Sequence, residues 1–242
     1  IDWNVTARTG VPYIKKYNEE RELTLMIACD VSASQQFGSS GKLKLEAAAE
    51  LAALFAFSAI KNSDKVGLLL FSDKIELFVP PRKGKKHVLR LIRELVAFEP
   101  QSKGTDIGLC LETLTKVIKR QGILILISDF LSPVSSFSKP FKLAARKFDL
   151  IPVIVQDKLE TRLPPLSACI DVTDPETGEE DFLCLSSGEI NAALAEHAQK
   201  QDLNLRALFN PYKIEPIRVD TALSPADPVI AFFKQRAKKI RR

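Results

Sequence analysis

The sequence predicts an α/β fold: a three-layer sandwich in which a mostly parallel six-stranded sheet lies between helical layers, with one antiparallel edge strand and an inserted β-hairpin. Three observations carry this. The apolar runs Leu23–Cys29, Val66–Phe71, Gly122–Ser128 and Leu150–Val155 are nearly continuous rather than alternating, as in strands covered on both faces. Amphipathic stretches with helical spacing separate most of them. Two of the runs end in a carboxylate, Asp30 and Asp129, and open parallel sheets place their ligands at that end. Together with the right-handed crossover rule, this alternation motivates the strand order 3-2-1-4-5-6, with strand three as the antiparallel edge.

Residues 1–22 show no clear periodicity and end in a charge run, so they read as an extended arm anchored by Trp3. From residue 23 to residue 242 no internal boundary is evident. In Lys42–Lys61, Ala47, Ala48, Leu51, Ala52, Phe55 and Ala59 form one helical stripe, which Leu54 and Phe57 widen. Ile75–Val79 follows Val66–Phe71 across a short Ser72-Asp73-Lys74 turn, which demands antiparallel pairing. Pro80–Gly84 then interrupts the chain before a helix with Val88, Leu91, Ile92, Leu95 and Val96 inward.

Thr105 begins a further helix carrying Ile107, Cys110, Leu111, Leu114 and Ile118 on one side. Ser135–Phe148 is another. Pro152 has no amide to donate, so it belongs near a strand start or beside an unpaired position. Near 168–186, Ile170–Val172 and Phe182–Leu185 flank an acidic turn, Asp174–Glu179, and read as a hairpin. A helix over about 188–208, a last strand over Ile214–Val219 and a closing helix over Pro228–Lys239 complete the chain.

At 242 residues the chain is long enough for a substantial core, and 45% hydrophobic content places it among globular rather than disordered sequences. No apolar stretch approaches the ~18–20 residues of a membrane span, so membrane contact is not indicated. The four cysteines lack CxxC spacing. Cys29 and Cys110 read as buried hydrophobes, and Cys169 and Cys184 as thiols flanking a turn rather than a disulfide. The net charge of +5 concentrates at Arg82–Arg93 and Lys234–Arg242, which reads as solvated surface.

Asp30-Val31-Ser32-Ala33-Ser34 places a carboxylate and two hydroxyls on alternate residues beyond the first strand. Oxygen donors of this kind suit hard cations. With Thr105 and the strand-terminal Asp129, the pattern resembles the metal-ion-dependent adhesion site of von Willebrand factor A domains at five positions: Asp30, Ser32, Ser34, Thr105 and Asp129. The resemblance implies the Rossmann-like sandwich of that family. It also implies Mg²⁺ or Mn²⁺ contacted directly by Ser32, Ser34 and Thr105, with Asp30 and Asp129 binding directly or orienting water. Largely neutral ligands leave a coordination position for a partner's Glu or Asp, so the implied activity is a clamp and not an enzyme.

A narrower resemblance rests on Ile1-Asp2-Trp3, Ala7-Arg8, the Glu19-Glu20-Arg21-Glu22 run, and Pro80–Gly84 with the basic helix behind it. These are similar to the domain-of-unknown-function 58 family, which carries a von Willebrand A-like domain behind such an arm. Its arm starts further upstream, so this chain is expected to be cut inside that motif. The family accompanies MoxR-type AAA+ ATPases, which implies a cytoplasmic adaptor or co-chaperone.

Rival chemistries fit less well. Gly38–Lys42 has glycines too close for a phosphate loop, and Leu43 stands where Ser or Thr is needed. The histidines, His87 and His197, lie far from any GxSxG elbow, so a serine hydrolase is not indicated. A Mg²⁺-dependent phosphotransferase of the haloacid-dehalogenase type would use Asp30 as nucleophile, but its acid/base Asp is replaced by Ser32. Helix capping alone would also explain isolated Asp and Ser residues. An anion or nucleic-acid surface at Arg82, Lys83, Lys85, Lys86 and Arg90 lacks aromatics for base stacking, so no specific nucleic acid is expected.

Overall fold

A computed structural model describes residues 3–12, 23–39, 41–164, 169–184 and 188–240. Its first element is a short helix, α1 (Trp3–Thr9), where an extended arm was expected. The turn is local: Gly10 N closes it on Thr6 O at 2.9 Å. Trp3 is 72% exposed, so among the described residues it does not serve as the expected anchor. Ile1, Asp2 and the Glu19–Glu22 run lie outside the described residues.

The core is the expected sheet. Strand β1 (Thr24–Asp30) is buried along almost its whole length. A 3-10 turn (Ala33–Gln36) and helix α2 (Lys44–Lys61) lead to β2 (Lys65–Phe71) and β3 (Ile75–Arg82). Helices α3 (Lys85–Val96) and α4 (Ile107–Val117) precede β4 (Ile123–Ser128). Helix α5 (Val134–Lys147) leads to β5 (Asp149–Gln156). A separate two-stranded hairpin, β6 (Cys169–Thr173) and β7 (Glu180–Cys184), comes before α6 (Gly188–Phe209). Strand β8 (Ile217–Asp220) and α7 (Ala226–Ile240) end the described chain. The sheet order is β3-β2-β1-β4-β5-β8, parallel throughout except for the antiparallel β2–β3 pair. This is the von Willebrand A-like arrangement.

Alternation along β1 divides the core. Leu25, Ile27 and Cys29 pack toward α2, α3 and α7, while Met26 and Ala28 pack toward α4, α5 and α6. Burial on both faces explains why the strands read as continuous apolar runs. Each fully buried Leu, Ile or Phe side chain contributes roughly 1.5–3 kcal/mol relative to exposure.

Several local expectations need correction. Leu54 and Phe57 are about 40% exposed, because they lie beside the α2 stripe and not within it. Val96, expected inward, is 66% exposed at the end of α3. Strand β3 runs on through Pro80 and Pro81 to Arg82, which pairs with Val66. An edge strand tolerates prolines because one of its sides has no ladder to lose. Helix α4 starts at Ile107, with Asp106 as its cap accepting from Leu109 N at 2.8 Å; Thr105 stays in the loop. Pro152 is accommodated inside β5 because the β8 ladder begins only at Val153, leaving one flank of Pro152 without a neighbour. Cys169 is disulfide-bonded, contrary to expectation, and stands opposite Cys184 in the hairpin register. Cys29 and Cys110 are buried free thiols. Leu185 lies outside the described residues.

Candidate functional site at the carboxyl ends of β1 and β4

The parallel register of β1 and β4 brings Asp30 and Asp129 to the same end of the sheet centre. Asp30 is fully buried. Its Oδ1 accepts Ser32 N at 3.0 Å and its Oδ2 accepts Ser128 Oγ at 2.7 Å. Burial first, then repulsion from Asp129, push its pKa up to about 7 against the hydrogen bonds from Ser32 and Ser128.

The loop beyond Asp30 turns back on itself, so Ser32 Oγ and Ser34 Oγ lie 3.0 Å apart. Ser34 Oγ donates to Asp129 Oδ2 at 3.0 Å, and Gln35 Nε2 donates to the same oxygen at 2.9 Å. Asp129 follows β4 in a strained turn. The buried Phe130 takes φ 56°, a left-handed conformation that costs a bulky residue energy and often marks a functional loop. Leu131 N returns to Asp129 Oδ1 at 3.2 Å, and Gln201 Nε2 braces the turn through Phe130 O at 2.7 Å.

Thr105 is placed separately. Its loop is tied to the site loop by Ala33 N on Lys103 O and to the turn between β2 and β3 by Asp106 N on Ser72 O, both 2.9 Å. Its hydroxyl donates to Glu176 Oε1 of the hairpin at 2.8 Å. Asp30, Ser32, Ser34 and Asp129 are therefore joined in one hydrogen-bonded group, and Thr105 faces the hairpin tip beside it.

Sequence reasoning missed four participants. Lys44 Nζ lies 2.8 Å from Asp129 Oδ2, also pairs with Glu160, and is completely buried. Burial pulls its pKa down, but the charges of Asp129 and Glu160 outweigh that and hold it above the ordinary lysine range. Glu160 is pushed up by burial, which Lys44 only partly offsets. Lys44 was detectable in principle: it stands three and four residues before Ala47 and Ala48, on the apolar stripe of α2. Gln35 and Glu176 carried no such signal.

The donor set is oxygen-rich and suits a hard cation. Two carboxylates, one of them strained by its neighbour's charge, share the site with hydroxyls. Gln35 Oε1 is buried there with no hydrogen-bond partner. Among the described residues, no group of three or more His, Cys, Asp or Glu side chains is placed to hold a metal. A cation here would thus lean on hydroxyl oxygens and would compete with the Lys44 ammonium for Asp129.

Comparison with known proteins locates the chain. The profile of the family described as "Protein of unknown function DUF58" matches residues 1–203. Uncharacterized protein Rv1480 of Mycobacterium tuberculosis is 28% identical over 180 residues, which cover 74% of this chain and 56% of that protein. A Mycobacterium bovis protein matches to the same extent. The chain thus spans little more than half the length of these curated relatives. Among solved structures, conserved hypothetical protein BatB from Bacteroides thetaiotaomicron aligns with TM-score 0.53 and 17% identity over 89% of this chain and 99% of its own. The pilus adhesin SpaC from Lactobacillus rhamnosus GG aligns with TM-score 0.55 and 14% identity, over 93% of this chain and 31% of its own. Identities this low speak to fold alone.

Proposed function

This chain belongs to the DUF58 family, and from that premise we propose that it is a metal-dependent protein-interaction module whose site captures a Glu or Asp of a partner protein. The observation that carries the reading is the hydrogen-bonded convergence of Asp30, Ser32, Ser34 and Asp129 at the carboxyl ends of two central strands. In this proposal Ser32, Ser34 and Thr105 contact Mg²⁺ or Mn²⁺, while Asp30 and Asp129 hold it from behind. The cation supplies an electrophilic position that a carboxylate oxygen can fill. Ser32 occupies the place where a phosphotransferase would need its acid/base carboxylate, so the proposal is a clamp and not a catalyst.

The proposed partner is a MoxR-type AAA+ ATPase, with this chain as its adaptor or co-chaperone; that part of the proposal rests on resemblance to the family. A cytoplasmic location belongs to the same proposal. The bonded Cys169 pulls the other way, since disulfides persist mainly in oxidising compartments. Alkylation of protein trapped in the cell decides it: Cys169 free in the cytoplasm supports the location, and Cys169 protected from the reagent contradicts it. No helix among the described residues is long and apolar enough to cross a membrane.

Ser32→Ala and Thr105→Ala test the clamp. Both remove hydroxyls outside the hydrophobic clusters, so the fold should survive while partner capture is lost, as with chelator. Moderate salt should do less harm, because a direct bond is poorly screened. A partner complex indifferent to chelator, or metal-dependent phosphatase activity lost in Asp30→Asn, defeats the proposal.

A further inference from the structure

The hydrogen bond from Thr105 to Glu176 spans 71 residues and ends on a carboxylate that the chain itself carries to the site. We infer that Glu176 is an internal ligand that closes the site, and that the partner is an acidic residue on a tight turn which must displace it. This rests on the metal-clamp reading above and deepens it.

The hairpin tip is built to present that carboxylate. Asp174 Oδ1 accepts Glu176 N at 2.8 Å and Thr177 N at 3.1 Å. Gly178 N bonds Asp174 O and Asp174 N bonds Glu179 O, both at 2.8 Å. Gly178 takes φ +76°, a conformation that favours glycine. Those amide bonds also hold the Asp174 carboxyl below the usual carboxylate range. Asp174 is thus committed to shaping the turn, and Glu176 projects from it to Thr105. The disulfide-bonded Cys169 lies at the other end of the same ladder.

A preorganised turn loses little entropy when its side chain docks, and a tethered ligand acts at an effective concentration in the millimolar range. A carboxylate arriving from another protein must outcompete it. A cation bound beside Thr105 would add its own attraction to the carboxylate that already accepts the Thr105 hydroxyl. Closure and cation binding are therefore linked, and the hairpin sets a threshold that only a well-shaped acidic turn overcomes.

The test uses a fluorescent peptide of residues 173–180, its variant with Gln at the Glu176 position, and this chain as wild type, Glu176→Gln and Ser32→Ala. Anisotropy is read in Mn²⁺ and in chelator, and Mn²⁺ binding is read separately by water-proton relaxation. Glu176→Gln should bind the peptide about tenfold more tightly than wild type, within the usual range of intramolecular coupling. That gain should vanish in chelator, in the Gln peptide, and when Ser32→Ala is added. Equal peptide binding by wild type and Glu176→Gln, with Mn²⁺ bound by both, overturns the internal ligand and leaves the clamp standing. Failure of wild type and Glu176→Gln alike to bind Mn²⁺ overturns both. Glu176 lies at a half-exposed turn, so matching thermal melts confirm that the variant is folded.

Discussion

The hydroxyl of Ser34 and the carboxylate of Asp129 meet at 3.0 Å across 95 residues of sequence, and Asp129 Oδ2 also receives Gln35 Nε2 and Lys44 Nζ. Three donors on one oxygen, one of them an ammonium, hold the loops after β1 and β4 together. A cation that bound Asp129 Oδ2 directly would displace part of this arrangement.

Lys44→Met should therefore act in two directions. It leaves Asp129 and Glu160 facing each other without their shared cation, and breaking a buried pair costs about 3 kcal/mol. In chelator the melting temperature should fall. Added Mg²⁺ should then raise it by more than in wild type, because the competing ammonium is gone. An equal Mg²⁺ shift in the two proteins means the cation does not reach Asp129.

A further buried acid, Asp157, whose amide donates to Glu160 at 3.0 Å, gives a pH signature of its own. Burial opposes ionisation of Asp157, but hydrogen bonds from Ser39, Leu159 and Thr221 overcome it and hold the pKa at about 2. The unfolded value is about 3.9. Stability from this group is thus complete above pH ~4 and lost as pH falls toward 2. The contribution is roughly 1 to 2 kcal/mol. Urea titrations of Asp157→Asn should show that loss at pH 7 and a flatter acid limb; parallel limbs for the two proteins contradict the assignment.

The aromatic cluster behind Asp129 supports the strained turn. Phe209 stacks on Phe141 at 5.0 Å between centroids and meets Phe130 edge-on at 6.2 Å. Phe209→Ala should cost about 3–5 kcal/mol in denaturant unfolding. A loss below 1 kcal/mol means the cluster has repacked and does not brace the turn.

The sheet was legible because physics leaves little choice for it. Continuous apolar runs bounded by Asp30 and Asp129 require burial on both faces, and the crossover rule narrows the strand orders that remain. The positions of Asp30, Ser32, Ser34 and Asp129 were legible from their place beyond strand ends, whereas Thr105 rested on the resemblance and its hydroxyl bonds Glu176 instead. Short-range features were not. Trp3–Thr9 is helical through a local bond at Gly10, and Pro80–Pro81 remain in a strand only because that strand is an edge. The partners of the site were least visible. Glu160 and Glu176 reach it from 116 and 71 residues away, on short or turn-rich segments whose placement no local periodicity dictates. Charge on the apolar stripe of α2 was the one available sign, at Lys44.

The proposed clamp depends on a divalent cation bound at Asp30, Ser32, Ser34, Thr105 and Asp129. Mn²⁺-induced water-proton relaxation, titrated on wild type and Asp30→Ala of matched fold, tests it most directly. With few charged ligands the site should bind Mn²⁺ at about 10⁻⁴ to 10⁻³ M, by analogy with low-charge Ca²⁺ sites. Saturable enhancement is expected in wild type and its loss in Asp30→Ala; equal enhancement in both proteins, or none in wild type, contradicts metal binding at this site.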